Sequence, residues 1–175
     1  MTNFLTVQLS IVAVFLATLY PFVKRWSNLP QFVLGSAFAM SVPMAFSATL
    51  DEVPFSAWLV FLATIIWTVI YDTIYAMVDR EDDLKINVKS TAILFGKYDL
   101  IIIFLLHLLL IAILVMISQE FQLGNYFNMA IVLATLLMIY HQHLIKDRDR
   151  AKCFKAFLNN HYIGIVILLG IVLSF

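Results

Sequence analysis

Residues 100–117 read LIIIFLLHLLLIAILVMI. Only His107 interrupts an otherwise apolar run. A membrane β-strand would alternate apolar and polar side chains, and this run does not. In lipid a backbone must satisfy its own hydrogen bonds, which a helix does. About 20 apolar helical residues cross a hydrocarbon core of about 30 Å. Working outward, five more stretches meet that length, giving expected spans at 4–23, 29–49, 55–78, 100–118, 126–145 and 157–175. The composition agrees: 63% of the 175 residues are hydrophobic and 13% charged, with a mean hydropathy of +0.96. A soluble domain is closer to half apolar and a quarter charged. The composition therefore speaks against a water-soluble enzyme, a disordered chain and a nucleic-acid binder. The formal charge is zero, so no basic surface for nucleic acid stands out. Cys153 is the single cysteine, which removes internal disulfides and multi-cysteine metal sites. The expectation is an all-α membrane protein with six transmembrane helices in one transmembrane domain, residues 1–175. No Gly-, Pro- or Ser-rich linker divides it.

The basic residues sort by connection. Lys24 and Arg25 follow span one. Arg80, Lys85, Lys89 and Lys97 follow span three, and Lys146, Arg148, Arg150, Lys152 and Lys155 lie between spans five and six. These are all 11 basic residues, and the connections at 50–54 and 119–125 hold none. The positive-inside rule then places three basic loops in the cytoplasm and both termini on the far side. Met1-Thr2-Asn3-Phe4 has no positive charge and no cleavage site follows, so it is a poor signal peptide. Nothing there explains an exported N-terminus, and the expectation is that the chain is part of a longer protein. Pro21, Pro30 and Pro43 read as kinks or starts in spans one and two. Gly35 and Ala39 form a small-xxx-small pair that lets another helix approach.

The chemistry concentrates in Tyr71-Asp72-Thr73-Ile74-Tyr75-Ala76-Met77-Val78-Asp79-Arg80-Glu81-Asp82-Asp83-Leu84-Lys85. If the helix continues, Asp72, Tyr75, Asp79 and Asp83 share one face over three turns. Carboxylates stacked this way repel one another, and a divalent cation removes that cost. Hard oxygen ligands suit Mg²⁺, which keeps waters and recruits phosphate oxygens besides one or two carboxylates. Arg80, Lys85 and Lys89, then Ser90 and Thr91, supply groups for phosphate. Two readings stand at this level. A solvated loop accounts for Glu81, Asp82 and Lys85. A metal–phosphate site for a lipid diphosphate accounts better for Asp72, which lies about two turns inside the span and is a functional candidate on that ground. An EF-hand is excluded, because the glycine at loop position six and the glutamate at twelve are lacking.

The segment from Tyr71 to Gly96, YDTIYAMVDREDDLKINVKSTAILFG, resembles the second aspartate-rich motif of the UbiA family of intramembrane prenyltransferases. Tyr20-Pro21-Phe22-Val23-Lys24-Arg25, followed by Leu29-Pro30-Gln31 and Gly35, is similar to the family's basic connection after its fourth helix. Cys153-Phe154-Lys155-Ala156-Phe157 and Asn159-Asn160 resemble the 4-hydroxybenzoate polyprenyltransferase branch. The resemblance covers essentially the whole chain and implies helices four to nine of a nine-helix bundle around a central cavity. The family's first motif, N-D-x-x-D-x-x-x-D, occurs nowhere in the 175 residues.

Carried over residue by residue, the resemblance implies that Asp79 and Asp83 hold Mg²⁺ on the diphosphate. It implies that Asp72 and Tyr75 approach the cavity, that Lys89 meets phosphate, and that Arg25 with Lys24 lies near acceptor and diphosphate. Tyr20 is a weaker cavity-lining candidate. The implied partners are a polyprenyl diphosphate, 4-hydroxybenzoate or a similar aromatic acceptor, and the lipid bilayer, with no nucleic acid. The implied setting is ubiquinone biosynthesis in a bacterial inner membrane. The implied reaction is electrophilic aromatic substitution: the diphosphate leaves, the ring attacks the allylic carbon, and a proton is lost. Phe38, Phe46, Phe61 and Trp67 are candidates to line the prenyl path, or are packing aromatics. Without the first motif, the isolated chain is expected to show no transferase activity.

Two other classes stand beside the enzyme. One is a non-catalytic membrane fragment or half-protein that works with a separately encoded amino-terminal half. The other is a transporter or proton relay through Asp72. Relays place charge near the membrane midplane, whereas these charges crowd one mouth. His107 reads as bundle-buried. His141, His143 and Cys153 admit a metal site or, more simply, interfacial anchoring, and His161 has no evident partner.

Overall fold

The computed structural model describes residues 3–174. Met1 and Thr2, which bear on the expected orientation, and Phe175, in the expected sixth span, lie outside the described residues. Nine α-helices and no strand occur among the described residues. Helix α1 (Phe4–Trp26) starts where the Asn3 side chain accepts the Thr6 N–H at 2.8 Å, and it runs through Pro21. The second span is broken into α2 (Pro30–Ala39) and α3 (Ser41–Leu50). Pro30 sits at the first turn of α2, where its missing N–H costs nothing. Pro43 cannot donate to the Ala39 carbonyl, and the chain breaks at Met40.

Helix α4 (Phe55–Lys85) is the longest, at 31 residues. It continues past the expected end at residue 78, so the segment open to a loop reading is helical through Lys85. Hydropathy marked only the apolar part, but the backbone carries the helix on as a charged extension. A short α5 (Thr91–Phe95) and one 3₁₀ turn (Gly96–Tyr98) lead into α6 (Asp99–Glu120). Helix α7 (Asn125–Ile145) follows. The last span begins earlier than expected, at α8 (Arg150–Asn159), and continues after a break at Asn160 as α9 (His161–Val172). Asp149 caps α8 by accepting the Lys152 N–H at 2.9 Å. Helix α8 buries only Cys153 and Ala156 and mixes Arg150, Lys152, Lys155 and Asn159 among its apolar residues, which is why hydropathy passes over it.

Helix α4 is central and packs on α2, α3, α5, α6 and α8. Gly35 allows the close approach of α2: a Cβ there would lie 3.1 Å from the Ile65 carbonyl oxygen of α4. Ile66, Ile70 and Ile74 of α4 join Ile103 and Leu110 of α6 and Phe127 of α7 in one core. Outside that core the surface stays apolar. Ile101, Leu105 and Leu108 on α6 and Val132, Leu136 and Ile139 on α7 are exposed. A water-soluble monomer does not show an apolar girdle of that extent. Six helical segments are long and apolar enough to span a bilayer, and the protein is a multi-pass integral membrane protein.

The three basic connections meet at one end of the bundle. The Lys89 N–H donates to the Lys24 carbonyl at 3.0 Å, and Arg148 reaches Asp99 at 2.7 Å. Asp99 is fully buried and also takes Arg80 from α4. Its hydrogen bond holds the Arg148 guanidinium above its ordinary pKa, so that cation persists wherever the protein is handled.

Candidate functional site

Three cavities follow one another along α4. At the basic end, a cavity of about 70 Å³ is lined by Asp72, Tyr75, Ala76, Asp79 and Asp83 of α4. Tyr20 and Lys24 of α1, Gln31 of α2, and Lys89 and Ser90 of the following loop complete it. Asp72, Asp79 and Asp83 recur at seven- and four-residue steps, which keeps them on one helical face. The distance from Asp72 to Asp79 along the axis is about 10 Å, and Asp79 and Asp83 are adjacent turns with Cβ atoms ~6 Å apart. Three carboxylates face two ammonium groups there. Asp72 and Asp83 make no ion pair among the described residues; Asp79 has a loose one, with Arg150 at 3.6 Å.

The scaffold around this cavity is held by neutral hydrogen bonds. The Gln31 oxygen accepts the Thr91 N–H at 3.0 Å, which leaves its NH₂ group for the carboxylate side. The Thr73 and Thr91 hydroxyls lie 2.7 Å apart, both fully buried, and lock the loop to α4. Ser90 caps α5. The Lys89 ammonium donates to the Trp26 carbonyl at 3.0 Å, and that of Lys24 sits 5.0 Å from the centre of the Tyr20 ring. Each lysine has one weak or single partner and donors to spare.

The structure thus brings together Tyr20, Lys24, Asp72, Tyr75, Asp79, Asp83 and Lys89 around one cavity. Arg25 is not among its lining residues and is exposed. One residue beyond Lys24, it is turned about 100° away on the helix. Asp82 also faces elsewhere, toward Lys85 at 3.0 Å and Arg150 at 2.9 Å. Gln31 and Arg150 were missed as site neighbours. A glutamine directly after a helix-starting proline in an apolar span was a legible signal for Gln31. Nothing in the sequence spacing announced Arg150, which arrives from 68 residues away.

The donor set at Asp79 and Asp83 fits Mg²⁺ in one particular way. Among the described residues no three His, Cys, Asp or Glu side chains cluster tightly enough to hold a metal alone. Two adjacent carboxylates are what Mg²⁺ uses when waters and phosphate oxygens complete its shell. The same finding separates His141, His143 and Cys153: His141 and Cys153 are buried and His143 is exposed on another face. His107 is buried against the bundle, as expected.

Deeper along α4 lies an open cleft of about 750 Å³, lined by Phe38, Thr64, Trp67, Tyr71, Phe157 and Asn160 among others. Of the four aromatic candidates for a lipid path, Phe38 and Trp67 reach it. Phe46 packs on Phe121, with ring centroids 6.2 Å apart, and Phe61 on Trp58 at 5.3 Å. Beyond the cleft is an apolar pocket of about 230 Å³.

Comparison with known proteins gives a consistent picture. The model of the UbiA prenyltransferase family matches residues 1–164. A protein of Vesicomyosocius okutanii subsp. Calyptogena okutanii named 4-hydroxybenzoate octaprenyltransferase is 60% identical over 99% of this chain and 64% of its own length. One of the same name from Hahella chejuensis is 54% identical over 99% of this chain and 58% of its own length. The apo structure of a UbiA homolog from Aeropyrum pernix K1 superposes with a TM-score of 0.81 at 25% identity, over 95% of this chain and 62% of that one. A digeranylgeranylglyceryl phosphate synthase structure shares the fold at 18% identity, with a TM-score of 0.77. The chain spans about three-fifths of the length of these relatives.

Proposed function

The chain belongs to the UbiA prenyltransferase family, and from that premise we propose that its carboxylate cavity binds the diphosphate of a polyprenyl diphosphate with Mg²⁺. The prenyl group would pass to 4-hydroxybenzoate, in keeping with the names of the similar proteins. The observation that carries this is the convergence of Asp72, Asp79, Asp83, Lys24 and Lys89 on one cavity where α4 leaves the apolar core.

Asp79 and Asp83 would hold the ion, with Asp72 about two turns further in on the same face. Bound there, Mg²⁺ supplies positive charge against the oxygens of a leaving diphosphate. Lys24 and Lys89 donate charge-assisted hydrogen bonds to the same oxygens, which strengthen as the allylic C–O bond breaks and its electron pair stays on diphosphate. Gln31 orients the Asp72 side. The Tyr75 ring at the carboxylate cavity, 4.8 Å from that of Phe157, keeps water from the allylic carbon until the acceptor ring closes the new C–C bond and loses its proton. With one aspartate pair in the sequence rather than the family's two motifs, these 175 residues are expected to support binding rather than turnover. Arg25 acts, on this reading, at the rim rather than in the cavity. The three basic connections face the cytoplasm.

Purified in detergent, the chain should bind geranyl diphosphate more tightly with Mg²⁺ than without it. Asp79→Asn and Asp83→Asn should each weaken the Mg²⁺-dependent binding by about tenfold or more. Binding that ignores both substitutions sinks the proposal and leaves the half-protein reading. For the orientation, Lys146→Cys should react with a membrane-impermeant maleimide in inside-out vesicles and Glu52→Cys only in right-side-out ones; the native Cys153 is buried and silent.

A further inference from the structure

The cleft and the apolar pocket share a wall. Thr64 and Trp67 line both, so the Trp67 indole stands between them. The indole is fixed on three sides. Its Nε1–H donates to Asn160 Oδ1 at 3.1 Å, across 93 residues of sequence, at the point where α8 breaks into α9. The Tyr71 ring meets it edge-on at 6.0 Å. Gly164, one turn into α9, makes room for its far edge: a Cβ there would lie 2.8 Å from Trp67 Cη2. Any side chain at 164 must push the ring. The pocket beyond is walled by Val60, Ala63, Leu110, Leu114, Ile163 and their neighbours, with almost no polar surface.

Position along α4 gives the order. Asp79 lines the carboxylate cavity, Tyr71 and Trp67 the cleft, and Trp67, Thr64 and Val60 the pocket. Those residues step by three, four or eight and hold one face of the helix. From Asp79 to Trp67 is about 18 Å along the axis, and to Val60 about 28 Å. A lipid whose polar head sits at Asp79 and whose tail follows α4 meets the indole before it meets the pocket.

We propose that Trp67 is the waist of a prenyl path and sets the extra affinity for long chains, with their distal isoprene units passing the indole into the apolar pocket beneath Gly164. A short chain ends in the cleft and never touches that pocket. A long chain is bound partly by it. The proposal rests on the prenyl diphosphate reading above for the position of the head, but the pocket's occupant is tested separately. A prenyl tail is the occupant chosen because the pocket is apolar, walled by the bundle core and divided from the cleft only by Trp67 and Thr64. A phospholipid acyl chain is the competing outcome.

The test uses the whole chain with Trp26→Phe and Trp58→Phe, which leaves Trp67 as the only indole of the three. Geranyl diphosphate, octaprenyl diphosphate and octaprenol, which lacks the diphosphate, are titrated in detergent while Trp67 emission is read. Octaprenyl diphosphate and octaprenol should shift the emission, and geranyl diphosphate should bind without shifting it. Gly164→Val and, from the opposite wall, Ala63→Leu fill the pocket. Each should weaken octaprenyl binding by about tenfold, the loss of roughly two buried methylene groups, and leave geranyl diphosphate within about twofold. Ala63→Leu covers the case in which Gly164→Val does not fold. If neither diphosphate binds but octaprenol moves the emission, the head reading fails and the waist stands. If octaprenol and octaprenyl diphosphate both leave Trp67 unmoved, or if an added phospholipid gives the same shift and blocks octaprenol, the waist is overturned.

Discussion

Asp99 and the cavity carboxylates of α4 are two solutions to the same problem, acid groups held within an apolar bundle. Asp99 is fully buried, and its lone pairs are used: Arg148 at 2.7 Å, the Leu100 N–H at 2.7 Å, and Arg80 from α4. Asp72 and Asp83 make no ion pair among the described residues, although Lys24 and Lys89 line the same cavity. A buried charge that is fully partnered ties three segments together. Here it joins α4, the start of α6 and the connection after α7. Charges that share a cavity with donors to spare keep their capacity to take a further partner. The difference separates an acid that builds the fold from acids that, in the proposed function, receive a ligand.

The largest expected effect breaks the first solution. Asp99→Asn leaves two guanidinium groups facing a neutral amide and should cost about 3–5 kcal/mol, read as a lowered denaturation midpoint in detergent. Next is the neutral lock beside the cavity. Thr73→Val strands the Thr91 hydroxyl, whose side chain is fully buried, and should cost about 1–2 kcal/mol by the same measurement. Asp83→Asn sharpens the contrast by going the other way. It relieves repulsion with Asp79 and should hold stability or raise it by a few tenths of a kcal/mol, while abolishing the Mg²⁺ effect on diphosphate binding. A drop as large as that of Asp99→Asn would erase the distinction. The smallest effect belongs to Arg150→Ala, whose pairs with Asp82 and Asp79 are exposed; the melting temperature should not move.

The sequence made the spans legible because apolar helices of bilayer length have few alternatives. Five of the six expected spans begin within one residue of a helix: α1 at Phe4, α2 at Pro30, α4 at Phe55, α6 at Asp99 and α7 at Asn125. The exception is the sixth, because α8 buries only a narrow stripe and hydropathy averages over it. The face of Asp72, Tyr75, Asp79 and Asp83 was readable from helical period alone once α4 was allowed to continue. Arg25 shows the limit of a motif: the basic pair is adjacent in sequence, but a helix turns neighbours about 100° apart, and Lys24 alone lines the cavity.

The chain by itself determined that it is a helical membrane protein and which acids share a side of α4. Both follow from short-range rules, the bilayer's intolerance of bare backbone and the 3.6-residue turn. Only the packed bundle decided which acid is neutralised by arginines and which keeps no ion pair among the described residues, and where Trp67 stands. Those depend on groups brought from afar, Arg148 from 49 residues beyond Asp99 and Asn160 from 93 beyond Trp67. No local period encodes such meetings; they exist because α4 lies at the centre and the other helices close around it.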